Sequence, residues 1–222
     1  PVILLTDGYL ANGSEPWLVP DAAALPKFEK RALLSSAEYK PYRRDPQTLA
    51  RSWAAPGAKG YEHRLGGIEK QEVTGTISYD GENHEKMVRL RAAKINKLTQ
   101  DIPPTEILGE KKGKILLVGW GGTYGSITAA VQNLQKRGEK ISSVHLRHLN
   151  PLPRDLGGIL SGFEHVLVPE LNMGQLLKVL RAEYLVPATG YNKIKGQAFK
   201  VVEIEAAVDV ILEDLKKKGG RN

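Results

Sequence analysis

The sequence predicts an α/β protein with a doubly wound, mostly parallel sheet, and three observations support this prediction. Residues 115–118 form a short apolar run that is typical of a buried parallel strand. A tight turn rich in glycine follows at Gly119, Gly121, Gly122 and Gly125, and an Ala-rich segment with helical spacing comes after it. Strand and helix patterns then alternate along the chain, which is typical of a parallel sheet with helices on both faces.

The individual elements follow in order. Asp80 is a suitable N-cap for a helix through about residue 98, which Pro103 and Pro104 end. Residues 105–112 have the composition of a polar linker, so we place a domain boundary there and divide the chain into 1–112 and 113–222. Gly138 is expected to end the first helix of the second domain. The predicted elements of that domain are strand 114–119, helix 124–137, strand 141–146, helix 155–161, strand 165–169, helix 174–185 and helix 203–217.

The first 79 residues lack this rhythm. Residues 1–7 have the pattern of a buried strand, and the chain resembles a piece of a longer polypeptide. Prolines recur from Pro16 to Pro56, which predicts an extended arm, and residues 72–79 predict a short strand or hairpin around Gly75. The apolar residues of the arm favour a subunit interface. They are Trp17, Leu18, Val19, Leu25, Phe28, Leu33, Leu34 and Trp53.

Composition excludes several classes of function. The chain contains no cysteine, so it cannot form disulfides, use a thiolate nucleophile or ligate an iron–sulfur cluster through its own cysteines. The net charge of +7 includes Lys216, Lys217, Lys218 and Arg221 of the tail, and no basic stripe with interleaved aromatic residues indicates nucleic-acid binding. No segment is apolar enough to span a membrane. We therefore expect a cytoplasmic protein that binds neither nucleic acid nor membrane.

The glycine turn has two interpretations. Its spacing departs from the dinucleotide-binding pattern, because position 124 is Tyr where the third glycine would stand. The second strand also ends without the acidic residue that binds a ribose hydroxyl, although Arg147 could meet a 2′-phosphate of NADP. The alternative is that the glycines only allow close packing of strand and helix.

Polar residues follow two neighbouring strands of the predicted sheet. Arg147, His148 and Asn150 come after one strand, at the edge where α/β sheets bind ligands. Glu170, Asn172 and Gly174 follow the next one in the same way, so the two loops would line one crevice. The structural alternative is that the asparagines cap helices and bond to the backbone.

A glycine-flanked loop at 60–67 carries three ionisable side chains: Glu62, His63 and Arg64. Arg64 could bind a carboxylate through its guanidinium fork, or it could pair with Glu62 at the surface. His84, on a helix turn, is expected to be exposed. No histidines have metal-ligand spacing, and no Ser-His-Asp arrangement is visible. The chain shows no catalytic centre of its own.

Several segments resemble the α subunit of the 2-oxoacid:ferredoxin oxidoreductases, especially the 2-oxoglutarate branch. The resemblance extends over nearly the whole chain in the family's order. The segments that carry it are 1–12, 60–70 (Gly-Tyr-Glu-His-Arg-Leu-Gly-Gly-Ile-Glu-Lys), 83–85, 90–94, 117–125 (Leu-Val-Gly-Trp-Gly-Gly-Thr-Tyr-Gly), 145–151 and 168–176.

The resemblance implies a fold and an activity. Residues 1–112 would be the trailing strand and linker of the family's pyrimidine-type thiamine domain, and 113–222 would be a transketolase C-terminal-like domain. The family reaction is oxidative decarboxylation of a 2-oxoacid, here expected to be 2-oxoglutarate, to its coenzyme A ester (succinyl-CoA) with ferredoxin as electron acceptor. Pyruvate and branched-chain acids remain alternatives.

The resemblance also implies partners and cofactors. Thiamine diphosphate, its Mg²⁺ and the iron–sulfur cluster would belong to the β subunit, so this chain alone would bind none of them and would be inactive alone. The expected partners are that β subunit and ferredoxin, in an oligomeric assembly. No catalytic residue is assigned; Arg64, Arg147 and Asn150 are candidates for contact with substrate or coenzyme A, or for subunit packing. The competing hypothesis is an NADP-binding or regulatory α/β module, and a dimerisation role is compatible with the subunit hypothesis.

Overall fold

A five-stranded sheet forms the centre of the C-terminal half. The computed structural model describes residues 3–6, 12–14, 16, 18–27 and 35–219. The strands are β1 (Ile107–Leu108), β2 (Gly113–Trp120), β3 (Ile141–Leu146), β4 (Phe163–Glu170) and β5 (Thr189–Asn192). Their order across the sheet is β1-β3-β2-β4-β5, and only β1 runs antiparallel to its neighbour. The predicted mostly parallel sheet is confirmed.

Helices cover both faces of this sheet. They are α2 (Tyr124–Lys136), α3 (Leu156–Leu160), α4 (Gln175–Tyr184) and α5 (Val201–Gly219), and α1 (Gly81–Lys97) precedes the sheet in the chain. The Asp80 carboxylate accepts from the Glu82 amide and caps α1 as predicted. Gly138 adopts a φ of +87° just after the C-cap of α2, where an L side chain would be strained.

Alternation along β2 explains why the sheet is covered on both faces. Ile115 and Leu117 pack with α2 and α5, whereas Leu116 and Val118 pack with α3 and α4. All four side chains are fully buried. Because successive residues of a strand point to opposite faces, a strand that is apolar at every position requires a layer on each side.

Two strands were absent from the predicted elements. The predicted linker 105–112 contains β1, in which Ile107 pairs with Val144 and Leu108 with Ser143. Asp155 fixes the entry to β1, since its carboxylate accepts from the backbone N–H of Thr105 at 2.7 Å and from its hydroxyl at 2.8 Å. The other unpredicted strand, β5, pairs with β4 at the opposite edge. Both strands are short and depend on their neighbour for hydrogen bonds.

The buried strand expected at 1–7 is not seen in the described part of that segment. Residues 3–6 of that segment are described and lie outside any strand, and Ile3, Leu4 and Leu5 are exposed. The reason is that no other described strand lies beside the segment to complete its hydrogen bonds.

The N-terminal part is otherwise irregular, as the recurring prolines predicted. Around Gly75, which has a φ of +72°, the chain reverses as predicted, and an antiparallel bridge joins Lys70 to Ile77. The backbone N–H of Gln71 donates to the Thr76 carbonyl at 2.7 Å, but no continuous strand forms at 72–79. Within the arm, Leu18, Val19 and Trp53 are exposed, at 91%, 75% and 76% of their surface. Trp17, Phe28, Leu33 and Leu34 lie outside the described residues.

The described residues include no helix that is long and apolar enough to cross a membrane.

Candidate functional site

The carboxyl ends of β2, β3 and β4 lie at one edge of the sheet, because the three strands are parallel. This edge holds Trp120 at the end of β2 and Glu170 at the end of β4. It also holds His145 near the end of β3 and Arg147 just beyond it. The edge therefore brings together the polar loops that the sequence placed after neighbouring strands.

Glu170 is fully buried and accepts four hydrogen bonds. Its Oε1 accepts from the indole Nε1–H of Trp120 at 3.1 Å, from the Asn172 amide at 3.1 Å and from the backbone N–H of Leu176 at 3.0 Å. Its Oε2 accepts from the backbone N–H of Leu177 at 3.0 Å. The carboxylate thus satisfies the first N–H groups of α4, where the helix dipole also favours negative charge.

Asn172 completes the turn from β4 into α4. Its side-chain oxygen accepts from the backbone N–H groups of Gly174 at 2.7 Å and Gln175 at 3.2 Å. Gly174 has a φ of +80°, a conformation in which glycine is favoured. The hydrogen bonds of Asn172 to the backbone are those that the structural alternative expected of it.

The glycine turn after β2 is explained in part by packing. A Cβ at Gly119 would lie 2.6 Å from Cδ1 of Ile127 and 2.9 Å from Oγ1 of Thr123, so a larger residue would force both side chains to shift. Thr123 closes the turn, since its hydroxyl donates to the Trp120 carbonyl and accepts from the Trp120 backbone N–H. Gly122 and Gly125 have open space around them. Close packing therefore favours glycine at position 119 but not at positions 122 and 125.

Two clefts flank the end of β3. One, of about 290 Å³, lies between β1 and α2 above β3, and the other, of about 190 Å³, lies between residues 102–106 and the loop after β3. Glu106, His145 and Arg147 line both clefts. Arg147 and His148 are exposed.

His145 is the partly buried member of this group. Its ring packs edge-on against Tyr124, with centroids 5.0 Å apart. Burial, and secondarily the positive charge of Arg147, lowers the pKa of His145 below its usual 6.5. The imidazole is therefore neutral at pH 7 and presents one donor and one acceptor.

Asn150 does not line either cleft. It is exposed, and its peptide bond to Pro151 is cis.

Arg64 lies in a separate cleft of about 430 Å³ that the loop 60–67 forms with residues 39–41 and 74–77. Beside it, Nδ1 of His63 donates to the Tyr61 carbonyl at 2.8 Å, which leaves Nε2 without a proton when the ring is neutral. Among the described residues no ion pair joins Arg64 to Glu62, so the proposed surface pair is not formed. The structure thus assigns Arg64 and Arg147 to different clefts.

Lys70 is a residue that sequence reasoning missed. Its side chain is buried, and its ammonium donates to the carbonyls of Gly66 at 3.1 Å and Ile68 at 2.5 Å. It therefore fixes the end of the loop that carries Arg64. A lysine that packs into its own loop has no recognisable spacing, so the sequence carried no signal for this role.

The Trp120–Glu170 hydrogen bond was also missed. The sequence shows that each residue stands at the end of an apolar strand. Their pairing, however, depends on β2 and β4 being neighbours in the sheet.

His84 is exposed as predicted and bonds to Glu69 at 2.7 Å. Within the described part of the chain no group of three metal-ligating side chains comes together.

The fold, with its polar groups at the carboxyl ends of the strands, places the chain in a structural class. This class is the α/β domains with a doubly wound, mostly parallel sheet. No model of a known protein family matches the chain. The chain is 46% identical over 205 residues to the 2-oxoglutarate oxidoreductase subunit KorA of Mycobacterium tuberculosis. The aligned residues cover 92% of this chain and 31% of that protein. It is 30% identical over 190 residues to the α subunit of 2-oxoacid:ferredoxin oxidoreductase 1 of Aeropyrum pernix, covering 82% of the chain and 29% of that subunit.

A solved structure agrees with these relatives. The 2-oxoglutarate:ferredoxin oxidoreductase of Magnetococcus marinus, solved with 2-oxoglutarate, coenzyme A and succinyl-CoA bound, matches with a TM-score of 0.78 at 27% identity. The match covers 86% of this chain and 34% of that one. The chain is therefore a relative of the α subunits of the 2-oxoacid:ferredoxin oxidoreductases and corresponds to the C-terminal portion of one. It spans about a third of the length of these relatives.

Proposed function

We propose that this chain is part of the α subunit of a thiamine-dependent 2-oxoglutarate:ferredoxin oxidoreductase. The assembled enzyme would convert 2-oxoglutarate, coenzyme A and oxidised ferredoxin to succinyl-CoA, CO₂ and reduced ferredoxin. The observation that carries this proposal is the 46% identity to a 2-oxoglutarate oxidoreductase subunit over 92% of the chain. The name of that relative is also the reason for proposing 2-oxoglutarate as the substrate over pyruvate or branched-chain acids.

The cofactors of this reaction belong, on this proposal, to a β subunit. A chain without cysteine has no thiolates for an iron–sulfur cluster. The described residues likewise offer no grouping of carboxylates and histidines for the Mg²⁺ that accompanies thiamine diphosphate. When bound in the β subunit, thiamine diphosphate would stabilise the carbanion formed on loss of CO₂. The chain would then be inactive alone and would act by completing the assembly.

The domain assignment follows from the same proposal. Residues 113–222 would be the transketolase C-terminal-like domain, and 1–112 would be the trailing strand and linker of the pyrimidine-type domain. The exposed side chains of Ile3, Leu4 and Leu5 support this assignment, because a strand of that composition needs a sheet to pair with. Exposed Trp53 and Leu65 in the same part support a buried contact with the remainder of the enzyme.

Arg64, Arg147 and Asn150 are the side chains proposed for contact with the 2-oxoacid, with coenzyme A or between subunits. Because Arg64 and Arg147 line different clefts, they would serve two separate contacts.

The competing NADP hypothesis receives less support from the geometry. Close packing against Ile127 and Thr123 accounts for Gly119, and position 124 of the turn is Tyr where a dinucleotide-binding turn has its third glycine. The cytoplasmic location expected from the sequence stays a prediction.

The test is to recover the tagged chain from its source organism and assay the eluate. We expect a cysteine-rich, thiamine-binding partner to co-elute, together with reduction of a viologen dye that requires both 2-oxoglutarate and coenzyme A. Assays with pyruvate in place of 2-oxoglutarate, and without coenzyme A, serve as controls. A single-chain eluate without activity would contradict the proposal, and activity with pyruvate alone would correct the substrate.

A further inference from the structure

The usual ligand crevice of this sheet is closed by the protein itself. In a doubly wound sheet, ligands bind where the chain leaves two adjacent strands in opposite directions. Here those strands are β2, which leads to β3 on one side, and β4, which leads to β5 on the other. Between their carboxyl ends the Trp120 indole donates a hydrogen bond to the Glu170 carboxylate. The same carboxylate accepts hydrogen bonds from two backbone N–H groups in the first turn of α4, those of Leu176 and Leu177. A ligand anion at this point would meet a negative charge.

The open concave surface lies one strand away, at the end of β3. The clefts of about 290 and 190 Å³ meet there, and both are lined by Arg147, His145 and Glu106. The larger cleft adds the side chains of Tyr124, Thr128 and Gln132 from α2. Concave sites with a few convergent polar groups are typical of small-ligand binding.

Arg147 is the cation of this surface, and within the described part of the chain no ion pair joins it to a carboxylate. A guanidinium in a cleft provides a planar pair of donors that matches a carboxylate or phosphate. The neighbouring His145 and the polar groups of α2 can add hydrogen bonds. Glu106 is the single acidic side chain that lines the clefts, and its negative charge would repel a bound anion.

We propose that Arg147 anchors a binding site for a small oxyanion, a carboxylate or a phosphate group, in the clefts between β1, β3 and α2, and that Glu106 weakens its affinity. This inference rests on the ligand contact that the proposed function gives Arg147. All the lining residues belong to this chain, so failure to bind a small anion is measured separately from failure of the oxidoreductase assay.

The test is a titration of the chain with inorganic phosphate and, separately, with 2-oxoglutarate at constant ionic strength. Binding is followed by calorimetry and by NMR signals of Arg147 and His145. Arg147→Gln is expected to weaken binding at least about tenfold, because the charged bidentate bond is lost. Glu106→Gln is expected to strengthen binding about threefold or more, because removing one carboxylate lowers the repulsion.

Arg154→Gln is the matched control. Arg154 is exposed, lies on the loop after β3 and lines neither cleft, so its replacement changes the net charge equally. We expect it to leave affinity within about twofold, because Arg154 does not line the site and the charge of an exposed side chain is screened by salt. Comparing the two probes tells whether the site prefers a phosphate or a carboxylate.

Three outcomes would overturn the proposal. One is no binding of either probe to the wild-type chain. Another is an equal loss of affinity in the Arg147 and Arg154 variants, which would indicate net charge alone. The third is weaker binding after Glu106→Gln. A native NMR spectrum of each variant separates these results from loss of folding.

Discussion

The Glu170 carboxylate joins two strands and a helix at one point. A fully buried carboxylate is costly unless its oxygens are hydrogen-bonded, and here Trp120, Asn172, Leu176 and Leu177 supply the donors. These donors are themselves buried or part-buried, so water cannot readily replace the carboxylate as their hydrogen-bond acceptor. Glu170 therefore determines how β2, β4 and α4 fit together.

Replacing Glu170 with alanine is expected to lower the free energy of unfolding by about 3 kcal/mol, because several buried N–H donors lose their acceptor. Glu170→Gln should cost less, since the amide keeps one oxygen. Urea denaturation measures both. The control is Glu164→Gln, an exposed position on the same strand, which should stay within about 0.5 kcal/mol of wild type. Equal stability of the alanine variant and the control would show that Glu170 is dispensable.

His145 gives a prediction about pH. Its pKa is lowered in the folded chain by burial and by Arg147, whereas the unfolded chain titrates near 6.5. As pH falls below about 6.5 the unfolded state takes up this proton first, so this residue's contribution to stability is present above that pH and is lost below it. Urea denaturation at pH 7.5 and 5.5 should therefore show a larger loss for wild type than for His145→Gln.

An NMR titration gives a second, independent readout of the same group. We expect the pKa of His145 to lie below 6.5 and to rise in Arg147→Gln, because the neighbouring positive charge is removed. A wild-type pKa at or above 6.5 would contradict the description of the site.

Helix α1 illustrates how one element is held by a few polar contacts. Met87 is its buried residue, whereas Val88 and Ile95 of the same helix are exposed. Asn83 bridges to the preceding segment, accepting from the Glu72 backbone N–H and donating to the Lys70 carbonyl, both at 3.1 Å. Ion pairs of Glu69 with His84 and Arg91, and of Glu72 with Lys86, add to this anchor.

Asn83→Ala is expected to loosen α1 from residues 69–79, because one side chain makes both backbone contacts. Hydrogen exchange at the Glu72 amide should become at least about tenfold faster, which corresponds to the loss of roughly one hydrogen bond. Glu85→Ala, an exposed position in the same helix, should leave that rate unchanged. Unchanged exchange in both variants would show that the ion pairs of Glu69 and Glu72 are enough to hold α1 against residues 69–79 without Asn83.

At the scale of elements, the sequence predicted those that carry their own pattern. The first helix and the alternating strands and helices from β2 to α4 lie within a few residues of their predicted positions. β1 and β5 were not predicted, because two and four residues show no periodicity and are stabilised by pairing with β3 and β4. The strand expected at 1–7 shows the converse case. Its pattern is present, but residues 3–6, the described part of it, have no neighbouring strand among the described residues.

At the scale of the whole molecule, the sheet and its two apolar layers include one strand, β1, that lies before the predicted boundary at residue 112. Thr105 bonds to Asp155, and β1 covers the edge of β3. We therefore expect a fragment of residues 102–222 to unfold in one cooperative transition. A fragment of 113–222 should be less stable, because it lacks β1 and leaves the Asp155 carboxylate without Thr105.

Urea denaturation of the two fragments tests this expectation. The shorter fragment should lose about 2 kcal/mol or more, from two side-chain hydrogen bonds and a short strand. Equal stability of the two would place the boundary at residue 112, as first predicted, and failure of both to fold would show that residues 1–101 belong to the same cooperative unit.

The sequence by itself determined the fold class and the family resemblance, because both depend on local order: apolar runs, glycine turns, helical spacing and motifs in a fixed succession. It also placed Arg147 and Glu170 at the carboxyl edge, since strand ends can be read locally. Only the tertiary structure decided what these residues do there. Strand order placed Glu170 beside Trp120 and α4, where it serves as a cap, and placed Arg147 between two open clefts. Contacts between residues distant in the chain depend on the packing of the whole sheet, and no local pattern encodes them.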